Sequence, residues 1–482
     1  MPTSTPAPAE MDALAERLRA AAARAGRGGR SVVADAKESL AQPDLVRRAD
    51  EVAREVDRAV TGPRPVVAVV LPSSVDAVVQ LAAAVLGGHT VCFLDPAGGA
   101  RTGAVLDALA PDLVVDKTGL HPHRARGAPR RDPGAAGYVA MSSGTTGSAP
   151  KGVLTSWECL ADFAPHGAAA LDLDATARWG EPTHPSYDLA LTNWVLALAV
   201  GASLHVSGAL ADRVRPLAFL ARRGATHVRL APGYADLAAA EAGRGTPCGV
   251  RVWGSGGDRL TRAQAATVLG LGPATLVNTY GTSETAGFAS AAAYASTDEL
   301  RSRDGSVGIG HGRLGPWRVA LAPDEAGNDV ISVHSPHVGA GYLFGGDGQD
   351  YPRWEQDRVV TGDLGVADGD DLFCLGRVGR LVKRSASFVN LDDVDAVVRD
   401  LRGVASFTVS TRGGSLVTLV EGEVQAMAAV LEDLATRLAP GVVPDRLVPV
   451  RALPRLGNGK TDQAGALAMA ELALAEQALE KA

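Results

Sequence analysis

Ser142, Ser143, Thr145 and Thr146 surround Gly144 and Gly147 in the stretch YVAMSSGTTGSAPKG, which runs from Tyr138 to Gly152 and includes Lys151. Glycine has no Cβ, so such a backbone can turn at positive φ and approach a ligand closely. Its amides and hydroxyls converge as donors and the lysine adds positive charge, which is the chemistry of an anion cradle. The apolar run before it, AAGYVAM, reads as a strand feeding the loop. A plain Gly/Ser/Thr surface turn has the same composition. A P-loop needs Gly-Lys followed by Ser or Thr. Here Gly152 follows Lys151, so that arrangement is excluded.

Four more stretches carry groups capable of chemistry. VNTYGTSETAGF (277–288) follows a strand and holds Tyr280 and Glu284; VVTGDLG (360–366) holds Asp363; NGK (458–460) sets Lys460 on a turn; HPSYDLALTNW (184–194) holds Asp188. Singly, each has a bland reading. Asp363 suits a turn, Glu284 a helix N-terminus, Lys460 a solvated surface, and Asp188 a helix N-cap.

The elements around these groups alternate. PVVAVVLP (65–72), TVCFLDP (90–96), APDLVVD (110–116), GASLHVSG (201–208), THVRLAP (226–232), GVRVWGSGG (249–257) and ATLVNTYG (274–281) read as buried strands. Helical patterns lie between them, as in SVDAVVQLAAAVLGG (74–88), and this rhythm predicts an α/β fold with parallel-rich sheets. Over 305–345 the texture changes to short strands and turns. After GRVGRLVKRSASFVN (376–390) a helix, strand-like pieces and an Ala-rich helix predict a small α+β domain. The expected division is an N-terminal extension over 1–30, disordered at its Pro/Thr-rich start and helical over 11–25, then a large domain over 31–378 and a small one over 379–482.

Bulk properties exclude several classes. A chain of 482 residues should form more than one domain. Net charge is −7 with pI near 5.8, giving no electrostatic basis for nucleic acid or an anionic membrane as partner. Cys92, Cys159, Cys248 and Cys374 are far apart with no CxxC pair, and read as reduced, buried small residues. His121 and His123 lack the companions of a metal site. The N-terminus has no apolar signal core. Leu189–Val206 reads as a buried helix and strand rather than a membrane span. A cytoplasmic protein is expected.

Taken together, the opening loop and these motifs, in this order and across more than 300 residues, resemble the adenylate-forming enzymes, which include acyl-CoA synthetases and adenylation domains of nonribosomal peptide synthesis. The resemblance covers roughly residues 30–465. It implies a large domain of layered sheets with a distorted β-barrel-like part, and a small mobile C-terminal lid. It also implies ATP and Mg²⁺ as cofactors. The Ser142–Lys151 loop would hold the β- and γ-phosphates, and Glu284 the Mg²⁺. Tyr280 would stack on adenine, Asn278 would bond its edge, and Gly281 and Thr282 would flank it. Asp363 would accept the ribose hydroxyls beside Arg377, and Lys460 would stabilise charge between the substrate carboxylate and the α-phosphate. The lid would rotate about a hinge at Gly379, where the family pattern has an acidic residue. Ala386 stands where that pattern has glycine. If positive φ is needed there, alanine costs about 1 kcal/mol, so the thiol-transfer half rests on weaker ground than adenylation.

Among amino-acid-activating members, Asp188 matches the residue that pairs with the substrate ammonium. The pocket pattern adds Leu189, Thr192, Arg229, Trp253, Ser255, Thr279, Gly287 and Phe288. Arg229 is odd in an apolar strand and suits carboxylate recognition; it could equally point outward or pair with a nearby acid. Trp253 and Phe288 would shorten the pocket. An aspartate-like amino acid is expected. No carrier segment follows and no condensation domain precedes the matched region, so a free-standing enzyme loading a separate carrier protein's phosphopantetheine, or coenzyme A, is expected. A synthetase for a non-amino acid and a catalytically silent binding partner remain alternatives.

Overall fold

The loop-bearing hairpin, β1 (Gly137–Ser142) and β2 (Lys151–Ser156), belongs to a sheet of seven strands. A computed structural model of the chain describes residues 13–28, 31–123, 132–142, 151–285, 287–324, 327–338, 341–345, 351–384, 387–402, 404–411, 414–422, 427–438, 442–456 and 460–480. In that sheet Thr90–Phe93, Val66–Val69 and Leu113–Asp116 run parallel, as the apolar runs predict. The helix between the first two, Val75–Gly87, starts where the Ser74 hydroxyl accepts the Ala77 N–H and ends where Gly88 turns at φ 64°.

The later strands form a second sheet of eight, which the alternation by itself did not separate from the first. It contains, side by side, β3 (Arg178–Glu181), β4 (His227–Leu230), β5 (Val252–Gly256) and β6 (Thr275–Tyr280), all parallel. Between β3 and β4 in the chain lies α1 (Asp188–Val200), with every residue from Ala190 to Ala199 buried. The main core lies between the sheets, joining Val67, Val91 and Tyr138 of one to Trp179, Leu204 and Val277 of the other. A second core covers the opposite face of the eight-stranded sheet and contains Val228, Trp253 and Leu276.

Downstream strands, including β7 (Arg358–Asp368) and β8 (Asp371–Arg377), form an antiparallel sheet of six. The barrel-like part expected here is an open sheet among the described residues. One edge of β7 is shared, first with Arg353–Glu355 and then with β8, and a bulge falls between Leu364 and Gly365. The sheet therefore forks instead of closing. The C-terminal elements are the helix Leu391–Arg402, the three strands Ser406–Ser410, Leu416–Glu421 and Arg446–Val450, and the helices Met427–Arg437 and Gln463–Glu480. Two ion pairs tie them to the eight-stranded part: Arg259–Asp393 at 3.2 Å and Arg399–Asp236 at 2.9 Å. No helix of the described residues is long and apolar enough to cross a membrane.

Candidate active site

Ser142 and Lys151 are register partners, so β1 and β2 bracket the Gly/Ser/Thr loop. Ser143, Gly144, Thr145, Thr146 and Gly147 lie outside the described residues. Lys151 is buried, with Nζ 5.7 Å from the centre of the Tyr342 ring. Burial pushes its pKa down and Glu284 pushes it back up. Glu284 sits on the short turn Ser283–Thr285 and accepts a 3.1 Å hydrogen bond from the Tyr342 hydroxyl. Gly281 has to be glycine, because a Cβ there would lie 2.3 Å from the Gly287 carbonyl oxygen. The Thr282 N–H donates to the Thr285 hydroxyl at 2.9 Å, which closes the turn.

Asp363 and Arg377 face each other across β7 and β8. The Arg377 Nε donates to one carboxylate oxygen at 2.9 Å and the Tyr280 hydroxyl to the other at 2.8 Å. That carboxylate raises the Arg377 pKa further. Asn278 donates from Nδ2 to the carbonyls of Val307 and Gly308 at 3.2 and 3.0 Å. Asn278, Tyr280 and Asp363 line a cavity of about 570 Å³.

A larger cavity of about 830 Å³ adjoins it, and its walls include Lys151, Glu284, Asp188, Arg229, Arg377 and Lys460. Lys460 reaches it from the C-terminal elements and stands over Gly257, where a Cβ would be 3.8 Å from its Cε. Burial lowers the Lys460 pKa while Asp258 opposes the shift. Groups separated by more than 300 residues thus share one space.

Asp188 opens α1 and accepts a short hydrogen bond from the buried Tyr138 hydroxyl. Burial raises its pKa to about 6, against the lowering effect of that bond. Leu189 and Gly287 also line the larger cavity. Thr192 lies beneath, its hydroxyl donating to the carbonyls of Asp188 and Leu189 at 2.9 and 3.0 Å. Arg229 is buried, with its guanidinium carbon 4.6 Å from the centre of the Phe288 ring. Its Nη1 donates to Asn193 Oδ1 at 3.2 Å, and its buried Nε has no hydrogen-bond partner. Burial lowers its pKa to about 10, opposed first by Asp188 and then by Glu181.

Two expected pocket residues face the other way. Trp253 pairs with Val228 and packs in the second core, and Ser255 shares its side of β5. Side chains alternate along a strand, so the positions beside Arg229 are Gly254 and Gly256. A Cβ at Gly254 would lie 2.8 Å from the Cβ of Arg229, and one at Gly256 would lie 2.2 Å from the Thr279 hydroxyl. Thr279 therefore lies on the Arg229 side, with its hydroxyl donating to the Ser255 carbonyl at 2.8 Å, and it lines the smaller cavity and not the larger. Arg229 lines the larger cavity, whereas Phe288, expected to shorten the pocket, is buried in the main core against Arg229 and Phe163.

The family model described as AMP-binding enzyme matches residues 101–343. The chain belongs to this family. With it comes membership of the adenylate-forming superfamily. Novobiocin biosynthesis protein H of Streptomyces niveus is 29% identical over 75% of this chain and 60% of its own length. D-alanine–D-alanyl carrier protein ligase of Lactiplantibacillus plantarum is 25% identical over 67% of this chain and 69% of its own. Nonribosomal peptide synthetase ataP of Aspergillus terreus is 38% identical over 104 residues, which cover only 7% of that protein. The chain thus spans less than two thirds of the first and third of these relatives. The fold is similar to that of the anthranilate CoA ligase AuaEII, solved with anthranoyl-AMP, at TM-score 0.79 and 15% identity over 97% of this chain and 98% of that one.

Several residues of this AMP-binding enzyme escaped the sequence reading: Tyr138, Glu181, Asn193, Gly254, Gly256 and Tyr342. Asn193 carried a signal, since with Thr192 it interrupts an otherwise apolar run in α1. Gly379 sits in the turn Val378–Arg380, where a Cβ would meet nothing within 4 Å. Next to it, Arg380 is buried and bonded to Asp392 at 2.5 Å and Asp395 at 2.6 Å, which fastens the turn to the helix Leu391–Arg402. Ala386 lies outside the described residues.

Proposed function

We propose that this AMP-binding enzyme activates a small acidic amino acid, aspartate or a close analogue, with ATP. A carboxylate oxygen of the amino acid attacks the α-phosphorus, the Pα–O–Pβ bond breaks and pyrophosphate leaves. The carbonyl carbon of the resulting aminoacyl-AMP is then attacked by the phosphopantetheine thiol of a carrier protein. A thioester forms, AMP leaves and the thiol proton passes to solvent. Similarity to D-alanine–D-alanyl carrier protein ligase supports that acceptor; coenzyme A offers the same thiol. Such chemistry belongs to secondary-metabolite assembly in the cytoplasm.

The observation that carries the substrate reading is that Asp188 and Arg229, opposite in charge, line the same cavity as Lys460. A buried carboxylate suits an ammonium partner, and a guanidinium suits a carboxylate. Both reacting molecules are anionic, so catalysis is mainly positioning and charge neutralisation. Lys460 stabilises charge that develops between substrate and α-phosphate. Lys151 and the loop from Ser142 hold the β- and γ-phosphates. Asp363, fixed by Arg377 and Tyr280, accepts the ribose hydroxyls, while Tyr280 and Asn278 face the adenine. Glu284 is an oxygen donor on the cavity wall beside Lys151, and this fits an oxygen-seeking ion. Glu284 would hold Mg²⁺, which neutralises phosphate charge when bound. The reading includes a large domain over 31–378 and a lid over 379–482 that turns at Gly379 and carries Lys460 away before the thiol enters.

ATP–pyrophosphate exchange over a panel of amino and simple carboxylic acids tests it. Exchange should peak at aspartate-like acids. A peak at acids lacking an amino group would remove the role of Asp188 and overturn the reading.

A further inference from the structure

Arg229 does not stand alone in the pocket wall; a buried chain of polar groups runs behind it. Trp179 of β3 pairs with His227 of β4, so two residues further along each strand Glu181 and Arg229 share one face. Asn193 of α1 lies between them. Its Nδ2 donates to Glu181 Oε2 at 2.6 Å and to the Arg229 carbonyl at 3.0 Å, while its Oδ1 accepts from Arg229 Nη1 at 3.2 Å. Glu181, Asn193 and Arg229 are each at most 2% exposed.

The polarity of this chain is fixed. A flipped Asn193 amide would turn its NH₂ towards the guanidinium, donor against donor. Glu181 receives only donors: the Thr183 N–H at 3.1 Å and the Thr183 hydroxyl on Oε1, and Asn193 on Oε2. Burial pushes the Glu181 pKa up while those contacts favour the anion, and an anion buried this deeply needs a counter-charge. Arg229 supplies it through the amide. Among the described residues the guanidinium is then held by one hydrogen bond and the Phe288 face, its buried Nε has no partner, and Arg229 lines the larger cavity.

We propose that Glu181 and Asn193 are positioning residues that aim Arg229 into the pocket, so that selection of an acidic side chain is set by three residues and not by Arg229 alone. This rests on the proposed aspartate-like substrate. The mechanism is electrostatic and geometric: the Glu181 charge holds the amide, and the amide holds the guanidinium in the cavity wall, where a substrate carboxylate can pair with it.

The test has two parts. The first is the ratio of kcat/KM for aspartate to that for asparagine in ATP–pyrophosphate exchange. Glu181→Gln and Asn193→Ala should each lower this ratio at least about tenfold, the scale of one charge-assisted hydrogen bond, through KM for aspartate and with KM for ATP unchanged. An unchanged ratio overturns the proposal. The second is a thermal double-mutant cycle, independent of substrate. Arg229→Met alone should lower Tm by stranding the Glu181 anion, and adding Glu181→Gln should recover part of that loss. Additive losses overturn the relay. A wild-type panel peaking at an uncharged amino acid overturns the aspartate reading alone, and the thermal cycle still decides whether Glu181 and Arg229 are coupled.

Discussion

Arg229 and Gly254 are register partners on adjacent parallel strands, and the backbone of one leaves room for the side chain of the other. A Cβ at position 254 would meet the Cβ and Cγ of Arg229 at 2.8 and 2.9 Å. Neither atom is the far end of a flexible chain, so the strand or the guanidinium has to move. Gly254→Ala is expected to raise KM for the amino acid at least about tenfold and to cost about 1–3 kcal/mol of stability, with KM for ATP unchanged. Steady-state exchange kinetics and a melting curve check both. An unaltered amino-acid KM would show that Arg229 does not bound the pocket.

Asp188 gives a pH dependence of defined sign. Its pKa is raised to about 6, so the anion proposed to pair with an ammonium is lost as pH falls through that value. KM for the amino acid should rise about tenfold between pH 7 and 5, with little change in kcat at saturation. Asp188→Asn should have a high, flat KM over that range. The stability term runs the other way. The native value lies above the ordinary 3.8, so the native state holds this proton more tightly, and stability falls as pH rises from about 4 to about 6. Asp188→Asn should lack that component in a series of melts.

Lys460 reaches the cavity over Gly257, while its chain neighbours belong to the C-terminal elements. A group acting on developing charge affects turnover more than ground-state binding. Lys460→Ala should lower kcat for exchange by about 10²–10³-fold with amino-acid and ATP KM values little changed. A comparable rise in KM with kcat preserved would assign the lysine to binding instead.

Asp363 holds both Arg377 and Tyr280. Asp363→Asn removes the charge from this pair and should raise KM for ATP about 10–100-fold, the range of a hydrogen bond to a charged group. KM for the amino acid should stay constant, because Asp188 and Arg229 are untouched. Similar losses for both substrates would place Asp363 in the scaffold only.

Glu284 accepts from Tyr342 and lines the larger cavity with Lys151. Glu284→Gln should raise the Mg²⁺ concentration needed for half-maximal exchange about tenfold, and chelation should abolish exchange in the parent enzyme. A metal titration follows both. An unchanged titration would remove Glu284 from ion binding.

Much of this was legible because it is local. The apolar runs at 65–72 and 226–232 contain the strands Val66–Val69 and His227–Leu230, since continuous burial on two faces leaves a continuous apolar signature. The helix at 74–88 showed its own stop signal in its terminal glycines. Lys151, Asp188, Glu284 and Lys460 stood out through the motifs that carry them, taken together and in order.

What the chain could not show by order alone was facing and partnership. Trp253 and Ser255 looked like pocket residues, yet a side chain's face depends on register with the neighbouring strand, and a shift of one residue reverses it. Only pairing with Arg229 reveals that Gly254 and Gly256 line that side. The forked sheet around Asp363 likewise depends on which segments compete for one edge of β7. The sequence by itself determined which elements form and which residues carry charge, through periodicity and local composition. The tertiary structure decided which charges meet, because hydrogen bonds and Coulomb attraction act over a few ångströms of space whatever the separation along the chain.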